Sequence, residues 1–264
     1  PAVRHTATGG SAGRSRATDG HQPTSRRAVH PVVRPVPVAE TAASRAIPDD
    51  TALLAAVEQE LERLVGLTAV KELVQELRAL VEIQRRREEH GLASTPVVLH
   101  AVFYGNPGTG KTTVARLLAR LYKAMGLLEK GHLVEVERAD LVGEYIGHTA
   151  QKTREQVKRA QGGILFVDEA YSLARGGEKD FGKEAIDVLV RAMENQRENF
   201  VLILAGYPAE MSFFMSQNPG LGSRFPIQLL FPDYGVSELV TIAERMLAER
   251  EYHLDQEALR FLTF

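Results

Sequence analysis

The sequence predicts an α/β fold in which a parallel sheet of five strands has helices on both faces and a glycine-rich loop at one sheet edge. Three observations lead there. Gly105-Asn106-Pro107-Gly108-Thr109-Gly110-Lys111-Thr112-Thr113 matches G-x-x-x-x-G-K-[ST] in full. Short apolar runs alternate with segments of helical periodicity. One of those runs, Ile164-Leu165-Phe166-Val167, ends in two carboxylates, Asp168 and Glu169.

The glycine-rich loop has the flanks its chemistry requires. Val97 to Tyr104 reads as a buried parallel strand, and Val114, Leu117, Leu118 and Leu121 lay an apolar stripe along the helix that follows. A chance surface turn would lack that strand-to-helix context. Glycines at 105, 108 and 110 let consecutive N–H groups and the helix N-terminus converge on phosphate oxygens. Lys111 then reaches the β and γ phosphates of a triphosphate, and Thr112 offers its hydroxyl to Mg²⁺.

Composition narrows the setting. The 264 residues are 44% hydrophobic and 25% charged, with a formal net charge of -2, ordinary for a globular protein and far from the basic balance of a nucleic-acid binder. With no cysteine, disulfides, thiol nucleophiles and cysteine-ligated zinc are excluded. The histidines form no H-E-x-x-H pair. No apolar run is long enough to span a bilayer, and the first residues lack the apolar core of a secretory signal. The expectation is a cytoplasmic protein with no membrane partner.

Residues 1–48 are rich in Pro, Ser, Thr, Ala, Gly and Arg without periodicity, and are expected to be a disordered tail because they cannot bury enough apolar surface to offset ordering entropy. Through residue 50 there are seven arginines and four acids, leaving 25 basic and 30 acidic residues afterwards. Such an arginine-rich stretch also has the composition of an organelle transit peptide, the lesser reading. Residues 51–250 are expected to form the α/β domain, and 251–264 the start of a truncated helical lid.

Within the domain, Leu53, Leu54, Val57, Leu61, Leu64 and Val65 mark a first helix, Gly66 a break, and Val70 to about Glu89 a second helix. Strands are expected at Leu133–Val136, Gly163–Val167, Phe200–Ala205 and Ile227–Phe231. Ser237 is a candidate cap for a helix to about Glu249, and another helix begins near Asp255. In such sheets ligands bind at the carboxyl ends of the strands, where the glycine loop lies.

The remaining motifs bear on chemistry. If the strand before Asp168 neighbours the strand before the loop, Asp168 holds Mg²⁺ directly or through water, and Glu169 polarises a water aimed at the γ-phosphate. Otherwise the pair merely ends a strand in solvent. Arg224, in the turn Asn218-Pro219-Gly220-Leu221-Gly222-Ser223-Arg224-Phe225, has the fork geometry that suits phosphate oxygens. It either completes a neighbour's site in trans or forms an intramolecular salt bridge, and the sequence leaves both open. Tyr145 and Ile146, beside Gly147, either grip an extended polypeptide or anchor their own loop.

In order and wording these motifs resemble the AAA+ ATPases, a branch of the P-loop NTPases. Arg138-Ala139-Asp140-Leu141-Val142-Gly143-Glu144-Tyr145-Ile146-Gly147-His148-Thr149 and Asp168-Glu169-Ala170-Tyr171-Ser172-Leu173-Ala174-Arg175 are similar to the branch that holds stage V sporulation protein K and the red-type Rubisco activases, over roughly residues 60–254. The resemblance implies a homo-hexamer with ATP and Mg²⁺ between subunits, Glu169 activating water, Arg224 reaching across the interface and Tyr145 lining a pore that acts on a protein substrate. It also implies that Val65 and Gly66 touch the adenine. Many members carry Asn or Thr after the fourth strand to sense the γ-phosphate, whereas Ala205-Gly206-Tyr207 stands here, making Tyr207 the candidate sensor. The second sensor arginine is expected beyond Phe264. A sporulation-type remodeller leads, with a Rubisco remodeller as alternative. A P-loop kinase would need neither Arg224 nor an aromatic loop, and a DNA-directed ATPase would need a more basic surface.

Overall fold

The apolar runs become strands and the periodic segments become helices in the computed structural model, which describes residues 51–93, 97–145, 147–176, 180–195 and 199–262. The tail expected over 1–48 and Ile146 lie outside the described residues. Thr51–Arg63 (α1) and Thr68–Glu89 (α2) come first, then Ala101–Gly105 (β1), Lys111–Ala124 (α3), Leu133–Val136 (β2), Arg138–Leu141 (α4) and His148–Arg159 (α5). Ile164–Val167 (β3) leads through a 3-10 turn at Ala170–Ala174 into Gly182–Asn195 (α6), Val201–Gly206 (β4), Pro208–Gln217 (α7) and Pro219–Gly222 (α8). Ile227–Phe231 (β5), Val236–Ala248 (α9) and Gln256–Leu262 (α10) complete the order.

The five strands pair in parallel in the order β2-β3-β4-β1-β5. Alternation along each strand divides the core into two faces. Ala101, Phe103, Ile164, Phe166, Val201, Ile203 and Ala205 pack with buried residues of α1, α2 and α3. Val102, Leu165, Val167, Leu202 and Leu204 pack with α5, α6 and α7 on the other face. Each fully buried Phe or Leu contributes about 1.5–3 kcal/mol, so the strands are fixed in depth and register.

Three expectations change. The strand read from Val97 starts at Ala101, because His100 Nδ1 accepts the Leu202 N–H at 3.0 Å, so a side chain rather than extended main chain meets β4 there. The strands before the loop and before Asp168 are not neighbours, since β4 lies between them. Strand order is set by long crossovers and leaves no trace in a local pattern. The helix assigned to a Ser237 cap begins at Val236 instead. Glu238 reaches back to accept the Gly235 N–H at 2.9 Å, a charge-assisted bond that a serine hydroxyl does not match.

Elsewhere the local signals hold. The Gly66 break is a left-handed kink shared with Leu67, at φ 64 and 53. The Leu67 conformation costs about 1–2 kcal/mol, and burial of its side chain offsets that cost. Asp255 caps α10, its Oδ1 accepting the Ala258 N–H at 2.8 Å. Among the described residues no helix is long and apolar enough to cross a membrane.

Candidate nucleotide site

The chain leaves β1 at Gly105 and turns through Asn106, Pro107, Gly108, Thr109 and Gly110 into α3. A Cβ at Gly105 would lie 2.7 Å from both Cβ and the carbonyl oxygen of Phe231, so only glycine lets β5 approach. Gly108 and Gly110 take φ of 77 and 93, and a Cβ on Gly108 would meet nothing within 4 Å, so open space borders the loop there. Thr109 Oγ1 donates to the Asn106 carbonyl at 2.7 Å and stiffens the turn.

Lys111 Nζ lies inside this loop, donating to the carbonyls of Gly105 at 2.8 Å and Asn106 at 2.7 Å. Partial burial pulls its pKa down, and the nearby Asp168 carboxylate opposes that shift. The structure therefore brings Lys111 and Asp168 into one electrostatic neighbourhood despite the intervening strand. Thr112, half-buried, and Thr113, exposed, occupy the first turn of α3.

Asp168 directly follows β3, its N–H donating to the Val136 carbonyl at 3.0 Å and its Oδ1 accepting the Glu169 N–H at 2.9 Å. Glu169 sits at φ 47, a left-handed conformation that non-glycine residues adopt at a cost of about 1–3 kcal/mol and that clusters at functional sites. Both acids line a cavity of about 680 Å³ with Glu137, Arg138, Glu144 and Ser172. Burial first, and then the Glu169 charge, push the Tyr171 hydroxyl pKa up to about 12. Tyr207 follows β4, between the loop and the two acids, and its ring centroid lies 5.9 Å from that of Tyr171.

A second cavity of about 1050 Å³ opens from Gly108, Gly110 and Thr113 toward Val65 and Leu67. Val65 and Leu67, on either side of Gly66, thus line one cavity with the loop. Sequence reasoning missed the opposite wall, formed by Tyr234 and by Leu239, Ile242 and Met246 of α9. The available signal was the apolar stripe of α9, none of whose residues is buried.

Arg224 is joined to Glu194 of α6, Nε to Oε1 at 3.1 Å with a second bond from NH2, and its NH1 donates to the Gly220 carbonyl at 2.5 Å. Of the two readings left open, the intramolecular ion pair is present in the single chain. Tyr145 is 65% exposed, its only aromatic contact among the described residues being an edge-on approach to His148 at 5.5 Å. Gly147 takes φ 83 just before α5. The exposed ring is no packed anchor.

Comparison with known proteins agrees with this arrangement. The model of the ATPase family associated with various cellular activities (AAA) matches residues 101–233. Stage V sporulation protein K of Bacillus subtilis (strain 168) is 60% identical over 206 residues, covering 78% of this chain and 64% of that protein. Protein CbbX of Cereibacter sphaeroides is 51% identical over 204 residues, 76% of this chain and 66% of its own length. The chloroplastic ribulose bisphosphate carboxylase/oxygenase activase of Cyanidioschyzon merolae (strain NIES-3377 / 10D) is 49% identical, covering 76% and 70%. The chain thus spans just under two thirds of the first two relatives. A crystal structure of the FIGL-1 AAA domain in complex with ADP shares the fold at TM-score 0.54 and 17% identity, covering 81% of this chain and 72% of that one. Matched family model, relatives and sheet order agree, and the chain belongs to the AAA family of ATPases.

Proposed function

We propose that this chain binds Mg-ATP at the glycine loop and hydrolyses it to ADP and phosphate at a site shared between subunits of a homo-hexamer, using the cycle to remodel a protein partner. The observation that carries the reading is the Lys111 ammonium held inside the loop within the field of Asp168, with Glu169 next in the chain.

The residues fit the ligand. Gly105, Asn106, Pro107, Gly108, Thr109, Gly110, Lys111, Thr112 and Thr113 supply amides, a helix N-terminus and one cation to the phosphates. Val65 lines the cavity that would receive the adenine, and Gly66 makes the kink between it and Leu67, which lines the same cavity. Among the described residues no group of three or more His, Asp or Glu could hold a metal, which suits Mg²⁺, a cation that keeps waters and takes few protein ligands. Thr112 and Asp168 would hold it. Magnesium held there would offset the charge of the phosphate oxygens.

Lys111 exchanges its carbonyl partners for phosphate oxygens and neutralises charge on the transferred group. Glu169 accepts a proton from the attacking water. Tyr207, which follows the strand between loop and acids, would serve as the γ-phosphate sensor. Arg224 leaves Glu194 and inserts into the neighbouring subunit's site, where such an arginine contributes about 10³–10⁵ in turnover. Tyr145, with Ile146 and Gly147, presses on the partner. The higher identity to the sporulation protein among the relatives described favours that type of partner over Rubisco.

Phosphate release by the full chain tests the reading. Glu169→Gln should bind ATP normally and lose about 10²–10⁴ in turnover. Undiminished turnover would remove Glu169 as the base.

A further inference from the structure

The turn after β5 reaches back onto the glycine loop at two points. Asn106 Nδ2 lies 3.0 and 2.9 Å from the two carboxylate oxygens of Asp233. Tyr234 donates its hydroxyl to the Thr109 carbonyl at 3.3 Å. The Tyr234 ring also stands between the two regions expected to hold nucleotide, since a Cβ on Gly110 would come within 3.3 Å of its hydroxyl and one on Gly66 within 3.9 Å of its ring. Glu238, which accepts the Gly235 N–H, would lie 2.7 Å from a Cβ at Gly66. Residues 233–238 thus touch the phosphate loop, the Gly66 kink and the first turn of α9.

We infer that Asp233 is a positioning residue that clamps the phosphate loop through the Asn106 side chain and ties the loop's shape to the start of α9. The inference rests on the nucleotide reading above. Asn106 spends its side chain on Asp233, which fixes the peptide planes of 106–108 before phosphate arrives. Loop amides can converge on an anion only if the turn is already formed, and preorganisation of this kind is recovered as affinity. Lys111 is bonded to the carbonyl of that same Asn106. The clamp therefore also sets where the ammonium waits. Because Asp233 is followed by Tyr234 and the capped start of α9, a shift of the loop on nucleotide binding is transmitted to α9 through two main-chain steps.

The test is a double-mutant cycle on the full chain, with Kd for MgATP read by calorimetry. Asp233→Ala and Asn106→Ala should each weaken binding about tenfold, the size of a lost hydrogen bond to a charged group. The double variant should be no weaker than either single, because both remove one clamp. Asp233→Asn, which keeps an acceptor for Asn106, should recover most of the affinity. Unchanged single variants, or multiplicative losses in the double variant, would overturn the clamp. Amide hydrogen exchange over 106–110 is read in parallel without nucleotide, and Asp233→Ala should speed it severalfold if the clamp exists. A wild-type chain that binds no ATP contradicts the nucleotide reading, and unchanged exchange in Asp233→Ala then contradicts the clamp separately.

Discussion

Arg224 and Glu194 are bonded to each other within one chain, through Nε and NH2 of the guanidinium to a single carboxylate oxygen. The pair is substantially exposed, at 34% and 50% of the two side chains, and ion pairs so placed contribute about 0–1 kcal/mol. If Arg224 acts in trans as proposed, a phosphate need displace only this weak pairing. Arg224→Ala should reduce turnover by about 10³ or more, and mixing with Lys111→Ala subunits should restore part of it. No restoration at any ratio would show that the arginine serves its own chain.

Tyr145 offers a contrasting substitution. Its ring is exposed and meets the His148 ring edge-on, so Tyr145→Ala should leave the unfolding midpoint within about 0.5 kcal/mol of wild type and ATP affinity unchanged, while partner remodelling is lost. Remodelling at wild-type rate would remove the loop from the mechanism.

Gly105→Ala probes the fold beneath the site. The added methyl would lie 2.7 Å from the Phe231 main-chain oxygen, and the backbone of β5 cannot rotate away as a side chain could. Urea denaturation should register about 1–3 kcal/mol of destabilisation. A neutral substitution would mean the β1–β5 contact is looser than described.

His100 predicts how stability depends on pH. Packed between Phe200 and Phe225, with Nδ1 accepting the Leu202 N–H, its pKa is lowered to about 4 by burial. Between that value and the ordinary value of 6.5, the unfolded chain binds a proton that the folded chain refuses, so stability rises with pH across this window. The contribution is complete above about pH 6.5 and lost as the pH falls toward 4, amounting to about 3 kcal/mol. Urea titrations at pH 7.5 and 5 should show about 2 kcal/mol of this loss in wild type and less in His100→Gln. Equal slopes would contradict the assignment.

How much of this was legible in the sequence depends on the range of the interaction. The glycine loop, the carboxylates after Ile164-Leu165-Phe166-Val167 and the Gly66 kink are local patterns, and each lies where periodicity and glycine placed it. The order of strands is not local: nothing in Phe200–Ala205 announces that it inserts between the loop strand and the carboxylate strand. Asp233 and Tyr234 escaped notice for the same reason, since their partners Asn106 and Thr109 are more than 120 residues away. The Arg224 partner was equally hidden, because Glu194 is one acid among many on a helix whose facing turn appears only after folding. The late start of the first strand, at Ala101, depended on a buried histidine acting as an acceptor, a role that composition does not reveal.

Calorimetric titration of the full chain with ATP in the presence of Mg²⁺ tests the central claim most directly. Saturable binding that Lys111→Ala weakens by about a hundredfold, the scale of removing a charged partner from a phosphate, is the predicted result. No binding by the wild type, or equal binding by the Lys111→Ala variant, would contradict it.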